Sequence, residues 1–192
     1  MKMEQLNDYL RGHKIEVFSV YDAAKFISKP AAYTSKFLSR DRYVRRAERG
    51  IYYTKDATEY GVASRIVFPS YATLVSSLRF YNLTEQIPHI IYIASPVQHR
   101  PITDLNGFEV NFKKIKKPLM YGYRKVDGAF VADPEKAVID MIYLNEFVEY
   151  AEEAVEERNL STAKLQNYAE RSGVKSIIKR VGEMLDDEQR RN

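Results

Sequence analysis

The residues with types and spacing suited to chemistry lie between positions 29 and 49. On a helix at about 100° per residue, Ala32, Ser35, Lys36, Ser39 and Arg40 fall on one side, with Lys29 and Arg42 flanking them. That face is small, hydroxylated and cationic, and it carries no carboxylate. Small residues permit close approach to a groove, hydroxyls bond phosphates or bases, and Lys or Arg bonds guanine edges. Arg45, Arg46 and Arg49 follow within a short segment, where each phosphate neutralised adds a salt-dependent increment to affinity. The pattern points to duplex DNA.

Such a face needs elements to position it. Ser19 is a good N-cap, and Val20, Ala23, Ala24 and Ile27 give an apolar stripe to a helix over 20–28. Pro30 ends that helix and suits the first turn of the next, over 31–40, whose core face is expected to be Tyr33, Thr34, Phe37 and Leu38. Tyr43-Val44 and Ile51-Tyr52-Tyr53 read as paired strands around a Glu48-Arg49-Gly50 turn. Two helices followed by a basic hairpin is the order of a winged helix-turn-helix, with a recognition helix for the major groove and a wing for the backbone. A short helix over 1–11, stopped by Gly12, precedes it.

Charge is distributed unevenly. Residues 1–55 carry +6, residues 56–130 carry +3 and residues 131–192 carry −5, within a formal net charge of +4. A basic head and an acidic tail suggest nucleic acid at one end and a different role at the other. Cysteine is absent, which excludes disulfides and Cys-based zinc sites. No apolar run reaches the roughly 18 residues of a membrane span, and no secretory signal is visible, so a cytoplasmic location without membrane contact is expected.

From Asp56 onward, residues 63–83 read as helix interrupted by Pro69, with Ser70 as a cap and Leu74, Leu78 and Tyr81 as its stripe. Strands are expected over 90–94, 108–115, 119–126 and 129–131, punctuated by Asn106-Gly107 and Asp127-Gly128 turns. Asp133-Pro134-Glu135 opens a helix with a cap, a first-turn proline and an acidic residue at the positive dipole end. Helices then fill about 146–188: an acidic one over Glu146–Arg158, one capped at Ser161 and stopped by Gly173, and a last one striped by Ile177, Ile178, Val181, Met184 and Leu185. Residues 186–192 are expected to fray. The fold class is α+β, with a winged helix-turn-helix over 1–56 and a mixed α/β domain over 57–192 ending in helices.

Nothing in the sequence marks an enzyme. His13, His89 and His99 are scattered, no HExxH, GxxxxGK or GxGxxG occurs, and no metal or cofactor is expected. Asp133 and Glu135 are accounted for by capping, and Asp140 alone makes no site. In the run Lys113-Lys114-Ile115-Lys116-Lys117, alternation puts Lys114 and Lys116 on one strand face. Lysines protecting an edge strand explain the run; a supplementary phosphate contact or an acidic partner is the alternative.

Several segments also carry a family likeness. Arg49-Gly50-Ile51-Tyr52-Tyr53, Tyr81-Asn82-Leu83-Thr84-Glu85-Gln86-Ile87-Pro88, Val131-Ala132-Asp133-Pro134-Glu135-Lys136-Ala137, Leu165–Arg171 and Ile178–Gly182 occur in this order. Together they resemble the AbiEi-type antitoxin family of transcriptional regulators. The resemblance implies a winged helix that represses its own promoter, and a C-terminal domain that counteracts a nucleotidyltransferase-like toxin without a stable complex. It carries over no catalytic residues, and it leaves Thr84, Glu85, Gln86 and Pro88 as turn-shaping positions. A stand-alone regulator without a toxin, or a winged helix reused to bind protein or RNA, would share the same head. Oligomeric state and operator sequence are not written in these residues.

Overall fold

Two sheets organise the chain, and turn chemistry explains most of their borders. A computed structural model describes residues 3–84, 89–157 and 160–191. The fold is α+β.

The first sheet has three antiparallel strands, β1 (Val17–Ser19), β3 (Ile51–Thr54) and β2 (Val44–Glu48), in the order β1-β3-β2. Around it lie α1 (Met3–Gly12), α2 (Val20–Ile27) and α3 (Ala31–Leu38). The start of α2 is a capping box. Ser19 Oγ accepts from Asp22 N at 3.1 Å while Asp22 Oδ2 accepts from Ser19 N at 3.0 Å. Ser19 Oγ, donating to Asp22 Oδ2 at 2.6 Å, and then the Ser19 amide hold that carboxyl below its usual range. Ser28 in the left-handed region ends α2, and the chain enters α3 through Pro30. Leu6, Leu10, Phe18, Ala23, Ile27, Leu38 and Tyr52 form the core beneath these helices. Asp41 Oδ1 accepts from the amides of Tyr43 and Val44, a side-chain turn that launches β2 after α3.

The second sheet has six strands in the order β6-β7-β5-β4-β9-β8: β4 (Tyr71–Ala72), β5 (Ile90–Ser95), β6 (Ile102–Leu105), β7 (Phe108–Lys114), β8 (Tyr123–Val126) and β9 (Ala129–Ala132). It is mixed, with β5 parallel to β7 and β4 parallel to β9. Ile91, Ile93 and Val110 in the paired central strands are wholly buried. Asn106-Gly107 and Asp127-Gly128 turn the two hairpins, and all four residues have positive φ, as a two-residue hairpin turn requires.

α6 (Pro134–Leu144) packs between this sheet and a helical layer made of α7 (Val148–Glu157), α8 (Thr162–Ser172) and α9 (Lys175–Arg191). Ala137, Val138, Ile139 and Met141 meet Ala151, Val155, Leu165, Ile177 and Val181 there. Gly173 at φ +65 stops α8 as the sequence predicts.

Five expectations fail, each for a local reason. The helix predicted across 63–83 is two helices, α4 (Glu59–Ile66) and α5 (Val75–Phe80), separated by β4. Ser70 does not cap α5, because its hydroxyl is spent on the carbonyls of Val67 at 2.6 Å and Ser64 at 3.0 Å. β6 is an additional strand; Ile102-Thr103-Asp104-Leu105 is only four residues long, too short to show alternation, and pairs where the Asn106-Gly107 turn folds it onto β7. Its pairing with β7 runs from Leu105 opposite Phe108 to Ile102 opposite Val110, short of Lys113 and Lys114. The strand expected over 119–126 begins only at Tyr123, since Lys117–Leu119 form a 3-10 turn and Gly122 sits at φ +67. Lastly, α9 continues through Asp186 to Arg191 instead of fraying. Glu85, Gln86 and Pro88 lie outside the described residues, as does the segment 158–159 ending the acidic stretch.

Gly122 is also a close-approach site. A Cβ there would meet Lys136 Cβ and the Tyr168 ring at 3.0 Å, in a backbone conformation that costs an L-residue about 1–2 kcal/mol. Gly122→Ala is expected to lower unfolding free energy by at least that amount in a urea titration, and an unchanged midpoint would contradict the packing.

Candidate nucleic-acid interface

α3 is rotated from its expected setting. Thr34 and Leu38 are buried as predicted, but Tyr33 is 54 % exposed and Phe37 is half-buried. Ser35, expected outside, is half-buried, and its hydroxyl lies 2.8 Å from Tyr52 Oη on β3. That bond ties α3 to the sheet, so Ser35 is a packing residue here. Ala32, Tyr33, Lys36, Ser39 and Arg40 form the outward arc, with Lys29 and Arg42 exposed at its two ends. Ser39 Oγ donates to the Lys36 carbonyl at 2.9 Å, a local bond at the helix end. Tyr33, Lys36, Phe37 and Arg40 line a notch of about 260 Å³, whose two rings stack at 6.3 Å and 19°.

The hairpin presents its arginines differently from one another. Arg49 at the turn is exposed. Arg46 is exposed too, but its Nε donates to the Glu48 carbonyl at 3.0 Å, across the bulge between Arg46 and Glu48. Arg45 turns toward the second sheet and donates to Asn106 Oδ1 at 2.7 Å. The hairpin is thereby docked. Ala47 packs on the core of the second sheet, and Glu48 pairs with His99 Nε2 at 3.2 Å.

Docking brings in a residue that the sequence did not flag. Arg100, exposed in the loop after β5, lines a groove of about 530 Å³ with Arg46, Arg49 and Ile102. No local pattern around Arg100 marks it; only pairing of β5, β6 and β7 carries it to the hairpin. The lysine run splits as well. Lys113 pairs with Glu146 at 2.6 Å, while Lys114, Lys116 and Lys117 are exposed beside Pro69, Pro96 and Tyr143, on the loops at one end of the second sheet.

The carboxylates set aside in the sequence reading have other work. Asp133 occupies the cap position of α6 but makes no side-chain cap bond. Its Oδ2 accepts from Tyr168 Oη at 2.8 Å and Lys164 Nζ at 3.1 Å, and Glu135 takes the Ser161 amide and the same Lys164. Capping is therefore not what these side chains do; they fasten α6 to α8. Asp140 is not alone either. It is fully buried, paired with the equally buried Lys136, and accepts from Tyr71 Oη at 3.0 Å and Thr73 Oγ1 at 2.7 Å. The Lys136 ammonium lies 5.5 and 5.1 Å from the Tyr71 and Tyr121 ring centroids. Burial draws Lys136 below its usual lysine value, against the pull of Asp140. Among the described residues, no three His, Cys, Asp or Glu side chains converge to hold a metal ion.

These tyrosines give the fold an alkaline limit. Burial, then the Asp140 charge, raises Tyr71 well above its ordinary value and Tyr121 to about 12. Burial and the bond to Asp133 raise Tyr168 further. Unfolded tyrosines ionise near pH 10, so above that pH the folded chain holds more protons and stability falls as pH rises. The contribution is complete below about pH 10 and is lost through pH 12. Lys164, raised because its carboxylate partners outweigh its burial, adds in the same direction; Lys136 opposes it. The part of the tyrosinate absorbance that belongs to Tyr71, Tyr121 and Tyr168 should rise together with loss of helix, not before it. Simple titration of all 15 tyrosines in the folded state would contradict this.

No described helix is long and apolar enough to cross a membrane. No protein-family model and no curated protein matches the chain.

Proposed function

We propose that this chain is a sequence-specific DNA-binding repressor of the AbiEi antitoxin kind, in which α2, α3 and the β2–β3 hairpin act as a winged helix-turn-helix. One observation carries the reading: the exposed arc of α3 presents Lys36 and Arg40 without a carboxylate, and the hairpin that follows it in the chain exposes Arg46 and Arg49. Solvated helix faces ordinarily mix charge signs; a helix arc of one sign, with the hairpin's Glu48 engaged by His99, suits a phosphate backbone. Lys29, Arg42 and Arg100 extend the same field. Lys36 and Arg40 meet base edges, while Arg46, Arg49 and Arg100 hold phosphate. The reading needs no cofactor and no catalytic step. The resemblance of the chain's later segments supplies the second half: autoregulation beside a nucleotidyltransferase-like toxin.

The test is binding to the chain's own upstream DNA against scrambled competitor at several salt concentrations. Selective binding whose logarithm falls steeply with log salt supports the reading. Weak binding indifferent to sequence removes it, in favour of a winged helix that serves protein or RNA.

A further inference from the structure

We infer that Tyr33 is a specificity residue that reads thymine, its ring receiving the C5 methyl group of a T in the major groove. The inference rests on the DNA-binding reading above and deepens it.

Tyr33 is a large aromatic side chain left 54 % exposed on a helix that has a core to bury it in. Its position is set by the helix: 33, 36, 37 and 40 are neighbours at three- and four-residue spacing, so the ring stands among Lys36, Phe37 and Arg40. Phe37 lies nearly parallel to it at 6.3 Å and 19°, an offset stack that biases the ring's direction before any ligand arrives. A pre-oriented ring loses little freedom on binding. Thr34, one position on, locks the helix by donating Oγ1 to the Pro30 carbonyl at 3.0 Å.

The notch these side chains enclose has two aromatic walls and a cationic rim. Of the groups a base pair shows in the major groove, only the thymine methyl is apolar; the rest are donors or acceptors. Two flanking cations at Lys36 and Arg40 suit the acceptors N7 and O6 of purines, and the ring between them suits the methyl. The arc therefore pairs an apolar reader with polar ones, and a T beside a purine is the step it fits.

The experiment uses the full chain and duplexes selected from a randomised pool. In the selected duplex each thymine is replaced in turn by deoxyuridine, which deletes only the methyl group. The parent is expected to lose about fourfold in affinity at one thymine, the worth of a buried methyl. Tyr33→Ala should bind T and U duplexes equally, whereas Tyr33→Phe, which keeps the ring, should retain the parent's preference. Equal discrimination by the parent and Tyr33→Ala overturns the inference while leaving the DNA-binding reading intact. So does a parent with no methyl preference at any thymine. Failure to select any duplex overturns both.

Discussion

Asp140→Ala is expected to cost about 3–5 kcal/mol of unfolding free energy, measured by urea denaturation near neutral pH. The residue and its partner Lys136 are both at zero exposure, and neither has water to fall back on. Removing the carboxylate leaves an ammonium in a wholly buried site and strips the Tyr71 and Thr73 hydroxyls of their acceptor. The Tyr71 and Tyr121 rings beside Lys136 offset part of the loss through their negative faces, but they cannot replace a full charge. The double change Lys136→Met with Asp140→Asn separates the causes. It removes both charges, keeps an acceptor for the two hydroxyls and fills similar volume, so it should recover most of the stability. A loss below about 1 kcal/mol for Asp140→Ala would mean that the pair is hydrated.

The second large effect concerns binding. Arg40→Ala is expected to weaken the selected duplex by about 1–3 kcal/mol and to relax preference at one base pair, as loss of a base contact does. Arg49→Ala should weaken all sequences alike and reduce the salt slope by about one unit, because it removes a phosphate contact. Arg45→Ala should change the slope less, since the bond from its Nη1 to Asn106 holds that guanidinium toward the second sheet. Electrophoretic mobility shifts across a salt series distinguish the three. If Arg40→Ala and Arg49→Ala both bind like the parent, the interface lies elsewhere.

Much of the local structure was legible because it depends on neighbours in sequence. Ser19 announces the cap of α2, and Asp127-Gly128 declares the turn between β8 and β9. The α3 face was legible only in part. A helix of eight residues makes barely two turns, so a hydrophobic wheel leaves the boundary residues undecided. Ser35 went inward because Tyr52, seventeen positions away, offers its hydroxyl a partner, and Tyr33 went outward as the helix settled on that bond. Polarity alone predicts the opposite for both.

The carboxylates followed the same division. Lys136 and Asp140 stand four residues apart, the signature of an exposed helical pair, yet α6 is enclosed by the second sheet on one side and by α7, α8 and α9 on the other. By itself, the sequence determined where α2, α6 and α8 begin, where the β8–β9 hairpin turns, the sign of charge along the chain and the cationic character of the α3 face, because capping, turn geometry and charge act over a few residues. Tertiary structure alone decided that β6 exists, that Arg100 joins the hairpin, that Arg45 bonds Asn106 and that an ion pair is buried. Each of those outcomes depends on which distant surfaces meet, and contact between residues far apart in sequence leaves no periodicity within either one.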